Sequence, residues 1–324
     1  LWAILVAMGE PGAAVLHIEE GQRLYDPERP ASQALGYAHH DAFPCAWDHL
    51  ATACWVLGYP DRALAALRES RRHAERRDHP MIRTYGTLPT AISLSYRMWV
   101  HYNRGDLMDA RGCANELVEL GTNHEFSAWV DDGAVLLACI AAADAHPSVR
   151  ELYERVRSRR PGRAAWRTDH CLCMLAGATA EDGTVDLGLE ILAAIPEERR
   201  DVFFAPEIER IRGELLVRRG ERDDAERCFR TAIEIARRRD ERSLELRAAT
   251  SLARLLAQSG RRLDAGRLLG EIYEWFTEGF DTADLRQALA LLDELKGAPG
   301  ASPIPRGRTG QTARSRWRRP PRPP

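Results

Sequence analysis

The chain has 324 residues, 44% of them hydrophobic, which excludes a small stapled scaffold and leaves room for a sizeable core or an elongated repeat array. Its formal net charge is −2, but the last 28 residues hold seven arginines and no acid; the rest carries 39 basic against 48 acidic residues, and a body near −9 is a poor general binder of nucleic acid. Seven cysteines, odd in number and set mostly among apolar neighbours, point to a reducing compartment, and no apolar run reaches the roughly 18 residues of a membrane span.

In chain order, the opening LWAILVAM lacks the basic stretch of a secretory leader and reads as the inside of a helix, so a missing upstream portion and a cytoplasmic location are expected. Gly9 then starts a pattern, with Ala14 and Ile18 five and nine residues on. A long connection follows, in which AHHDAFPC gathers His39, His40, Asp41 and Cys45. These are metal-ligand types, but no second cluster follows, and Asp41 is equally suited to cap a helix. Gly58 repeats the pattern with Ala63, Leu67 and Ser70, and Gly105 repeats it with Ala110, Ala114 and Leu117. His124-Glu125 lacks the second histidine of a zinc-protease helix and reads as the polar start of a helix.

Near His146-Pro147 one unit is degraded, since the next matching glycine lies 78 residues after Gly105. His170, Cys171 and Cys173 follow; the two cysteines point to different faces of a helix and read as core. Gly183 is followed by Gly188, Leu192 and Ile195, Gly220 by Ala225, Phe229 and Ala232, and Gly260 by Ala265, Leu269 and Ile272. These offsets describe antiparallel helix pairs: glycine ends the first helix, and a small and then a larger residue share one face of the second. Gly213, seven before Gly220, marks a close helix crossing.

WFTEGFD, within Tyr273–Leu295, reads as a terminal cap. In it Gly279 ends one helix, Asp281 caps the next, and Trp275, Phe276 and Phe280 pack with Leu285, Leu289 and Leu292 over the last hairpin. The expected domains are therefore a repeat superhelix over residues 1–296 and a disordered Arg/Pro-rich tail over 297–324. The expected fold class is all-α.

The spacing resembles the tetratricopeptide class of helical repeat, in a long version of about seven units. Residues 24–64, 243–265 and 275–295 (WFTEGFDTADLRQALALLDEL) are similar to the C-terminal repeat region of bacterial predicted ATPases of the signal-transduction type. That resemblance implies upstream ATPase modules, often with a class III adenylate/guanylate cyclase domain or, in relatives, a DNA-binding domain. It implies a sensor or regulatory role for this region, with a protein, a peptide or those upstream domains as partner.

No enzyme, cofactor or metal function is expected of this chain itself. The string GRTGQT lacks the P-loop lysine and its spacing, and no nucleophile elbow is present. A metal-dependent site near His39, His40 and Asp41 and an arm of a DNA-binding regulator are the alternatives. The functional surface expected of a superhelix is its inner face, supplied by the first helix of each hairpin. Helical spacing puts Trp99, Tyr102, Asn103, Arg210, Glu214, Arg218, Arg247 and Arg254 there, a mixture of charge and aromatics suited to a protein or peptide.

Overall fold

The computed structural model describes residues 1–25, 42–74, 87–140, 149–159, 165–182, 184–197 and 204–297, and its regular elements are helices. His39, His40, Asp41, Gly183 and residues 298–324 lie outside the described residues. Seven hairpins follow one another: α1 (Trp2–Ala7) with α2 (Pro11–Leu24), α3 (Ala42–Val56) with α4 (Pro60–Ala74), α5 (Thr87–Arg104) with α6 (Leu107–Asn123), and α7 (Ser127–Ile140) with α8 (Val149–Arg157). They continue with α9 (Ala165–Asp182) and α10 (Val185–Ala193), α11 (Ala205–Arg219) and α12 (Arg222–Arg238), and α13 (Arg242–Gln258) and α14 (Arg262–Tyr273); α15 (Ala283–Lys296) packs on the last pair. The degraded unit is the α7/α8 pair, whose turn at residues 141–148 lies outside the described residues.

The hairpins form as they do because of one turn chemistry. At Gly220 (φ +90°) the amide of Glu221 returns to the carbonyl of Leu216 at 2.9 Å, and that of Gly220 reaches Val217 at 3.0 Å. This satisfies carbonyls a helix end would leave open, in a left-handed conformation that costs glycine little. Gly9, Gly58, Gly105 and Gly260 carry the same return bond. Beyond the turn, Ala225, Phe229 and Ala232 are buried, as are their counterparts in the other units. A Cβ on Gly213 would meet the Phe229 ring at 2.5 Å, so the absent side chain lets α11 and α12 cross closely.

The first helices α3, α5, α7, α9, α11, α13 and α15 pack each on the next as an inner layer, with the second helices outside. This inner layer turns back on itself, because α13 also meets α3. Ser243 Oγ donates to the Trp55 carbonyl at 2.5 Å. Glu278 Oε1 accepts from the amides of Asp61 (3.0 Å) and Arg62 (3.1 Å), so it supplies an anion to the open N-terminus of α4 from 217 residues away. Asp61 Oδ2 in turn accepts from the Gly279 amide at 3.1 Å. Arg104, 2% exposed, donates to the Pro60 carbonyl (2.8 Å), Asp106 (2.9 Å) and Asp281 (3.2 Å). A closing seam therefore joins the α3/α4 and α5/α6 turns to the α14–α15 connection.

That seam corrects the reading of WFTEGFD. Gly279 is left-handed (φ +74°), but α14 ends earlier, at Tyr273, and a Cβ on Gly279 would overlap the Pro60 ring. Asp281 does not cap α15, whose N-cap is Thr282, because its carboxylate is drawn to Arg104. Phe276 is buried (5% exposed), while Phe280 is turned out (51%) beside Tyr273, and Leu289 is 41% exposed. The face of α15 that covers the last hairpin is Leu285, Ala288, Leu291, Leu292 and Leu295.

Candidate binding groove

The inner layer encloses a cavity of about 820 Å³. Each inner helix from α5 to α15 contributes to its wall: Tyr102 and Asn103 from α5, Ile140 from α7, His170 and Cys173 from α9, with α11, α13 and α15 supplying most of the charge. Helical spacing explains the contributions. Arg210, Glu214 and Arg218 recur every fourth residue on α11, and Arg247, Ser251, Arg254 and Gln258 follow at intervals of four, three and four on α13, one stripe each.

Seven of the eight residues placed on the inner face from spacing line this cavity: Tyr102, Asn103, Arg210, Glu214, Arg218, Arg247 and Arg254. Trp99 does not. It is buried edge-on against Trp55 (5.1 Å) and Phe204 (5.3 Å) and borders a smaller pocket of about 40 Å³, because its ring fills the space between inner helices.

The eight residues also differ in what they do there. Arg210 forks onto Glu207 (2.7 and 2.8 Å) and reaches Glu214 (2.5 Å), which also accepts from Ser251 Oγ at 2.9 Å. Arg247 donates to Asn103 Oδ1 (2.8 Å), the Asn103 carbonyl (3.0 Å) and Asp284 (2.8 Å), with its guanidinium 4.8 Å from the Trp55 ring centre. Buried Asn103 donates to the Trp99 carbonyl at 2.9 Å. Asn103, Arg210, Glu214 and Arg247 therefore form a mutually engaged floor, the Arg210 pairs within α11 and the Arg247 pairs across to α5 and α15. Arg218 and Arg254 are exposed at the mouth without a carboxylate partner among the described residues; Arg254 meets only Gln287, at 3.2 Å.

The floor is electrostatically fixed. Burial works against the charge of Glu207, but Arg210 and Arg247 outweigh it and hold the carboxyl down at about 2. Burial pushes the His170 imidazole down to about 4, and its Nε2 accepts from the Trp99 indole at 2.8 Å, a bond only an unprotonated nitrogen makes. Burial raises the Cys173 thiol well above its ordinary value, and burial likewise raises Asp284 against the pull of Arg247.

Spacing alone missed Glu207, Ser251, Gln258, Asp284, Arg286 and Gln287. Filling the α13 stripe between Arg247 and Arg254 would have found Ser251, and continuing it one turn beyond Arg254 would have found Gln258. His124 ends α6, and Glu125 sits in the α6–α7 turn at φ +57°. Among the described residues no group of three or more His, Cys, Asp or Glu is arranged to hold a metal, and no helix is long and apolar enough to cross a membrane.

No family model matches the chain, and no curated protein matches it. Among solved structures, it is similar to a Rap protein complexed with Competence and Sporulation Factor, at 15% identity, covering 91% of this chain and 78% of that one with a TM-score of 0.54. A circular tandem repeat protein with novel repeat topology is aligned over 91% of this chain and 82% of its own, at 13% identity and a TM-score of 0.23. The Rap likeness shows the fold: an all-α, tetratricopeptide-like stack of consecutive hairpins.

Proposed function

We propose that this chain is a non-catalytic interaction region that takes a protein or peptide segment into the inner cavity and relays its occupancy to other domains of a cytoplasmic bacterial signalling protein of the predicted-ATPase type. The observation that carries the reading is the division of labour in the cavity: a floor whose charged groups are mutually paired, below a mouth whose arginines have no carboxylate partner among the described residues. A preformed site with few reorganising groups binds with less ordering cost. The structural relative that holds a factor supports the same use of this fold, and the resemblance of residues 24–64 and 243–265 supports the signalling context.

The non-catalytic part rests on the chemistry of the floor. Glu207 is held ionised, His170 neutral and Cys173 as a thiol, so none of the three is poised to exchange a proton near neutral pH. Nucleotide chemistry is assigned to other domains. The route for relay is short: Arg247 of the floor donates to Asn103, the chain neighbour of the seam residue Arg104, so an occupant that favours one arrangement of Arg247 biases the seam.

The test uses the purified chain, incubated with the small-peptide fraction of its own cells and examined by native mass spectrometry. A one-to-one adduct is expected, identified by fragmentation, and absent from Gly177→Phe. Gly177 lies on the cavity wall, and a Cβ there meets Ile211 no closer than 3.4 Å, so the added ring enters the cavity without a backbone clash. An adduct that persists in that variant, or none at all, would refute the reading.

A further inference from the structure

The charges of the cavity separate into two levels. On the floor, the three carboxylates Glu207, Glu214 and Asp284 are all engaged by Arg210 and Arg247. At the mouth, Arg218 of α11, Arg254 of α13 and Arg286 of α15 are exposed on three successive inner helices. None of these three has a carboxylate partner among the described residues, although elsewhere on this surface arginines such as Arg219, Arg230 and Arg261 do. The cavity lining thus holds five arginines against three acids, in a body near −9.

From this we infer that the ligand is an acidic peptide whose carboxylates meet the Arg218–Arg254–Arg286 rim, an inference that rests on the groove reading above and specifies its ligand. Two further features favour a peptide over a simple anion. Exposed Gln258 and Gln287 stand beside the arginines; the Gln287 oxygen accepts from Arg254, which leaves its amide N–H groups, and the Gln258 amide offers both a donor and an acceptor to a peptide backbone. Leu107, Ile140 and Val217 give the same wall an apolar side for a side chain between the acids. A nucleotide fits less well: Phe204 and Phe229 are buried in the wall and Tyr102 is half-buried, so no exposed ring is offered to stack a base. Guanidinium groups with free donors bind carboxylates in a fork, which gives direction as well as charge.

The test is a hexapeptide library in which each position in turn is fixed as Glu, Gln, Lys or Leu, bound to the full chain and to an R218Q/R254Q/R286Q variant. Glutamate pools are expected to bind about tenfold tighter than glutamine pools at two or more positions, with the difference shrinking as salt rises. The triple variant should lose that preference while keeping the native melting curve, since all three side chains are exposed. Glutamine or lysine pools that bind as well as glutamate pools would overturn the acidic ligand and leave the groove reading standing. Failure of every pool would overturn both. Equal competition by ATP or by an oligothymidine would show that the rim reads phosphate, and would overturn the peptide.

Discussion

Asp48 sits on α3, 1% exposed, accepting from Ser93 Oγ at 3.4 Å with Ser70 next in line. Burial pushes its carboxyl up to about 7, against the hydrogen bonds of Ser70 and Ser93 and the pull of Arg97. The folded value thus lies above the unfolded one near 4, so the folded chain keeps a proton the unfolded chain releases, and stability falls as pH rises from about 4 to about 7. Asp48→Asn keeps the shape and removes the titration. Its stability relative to the native chain should rise between pH 5 and pH 8, by at most roughly 3 kcal/mol. Urea melts at stepped pH check this, and a constant difference across the range would sink it. Glu207 and His170 act in the opposite sense. Their folded values of about 2 and about 4 lie below the unfolded ones, so their contribution is present above pH 4.5 and 6.5 respectively and is lost as pH falls through the folded values.

At the scale of one element, α15 and the connection before it separate two phenylalanines that look alike in the sequence. Phe276→Ala removes a buried ring from the cluster of Leu269, Ile272 and Leu285 and should cost about 3–5 kcal/mol. Phe280→Ala, at a half-exposed position, should cost under about 1 kcal/mol. Chemical denaturation of both variants decides the matter, and equal losses would mean that the cap is built differently. The hairpins themselves were legible because their determinants are local: Gly220 and Ala225 act within one turn and one crossing, and spacing records that directly. The inward stripe was legible for the same reason. The pairing of Arg210 with Glu207 and Glu214, three and four residues away on α11, was within reach of spacing too. What spacing could not tell was that Arg247 is engaged, because its partners Asn103 and Asp284 lie on α5 and α15. Nor could it place Phe280 outside, since Pro60 and Arg104, which redirect that loop, lie more than 170 residues away in the chain.

On the scale of the whole molecule, the seam makes Gly279→Val a stringent substitution. The added side chain overlaps the Pro60 ring and must also adopt a positive φ, so the two ends of the inner layer should part while each hairpin stays intact. Small-angle scattering should report a larger radius of gyration at nearly unchanged helical circular dichroism. An unchanged scattering curve would show that the seam is not what holds the inner layer closed. Stacks of hairpins that touch only their neighbours come apart by degrees, the outermost first. Here the last helix cannot peel away without uncovering the start of α4, because Glu278 stays on the amides of Asp61 and Arg62 only while both ends are in place. The two ends are thereby joined in a single cooperative event, and closing that long loop becomes a late, slow step in assembly.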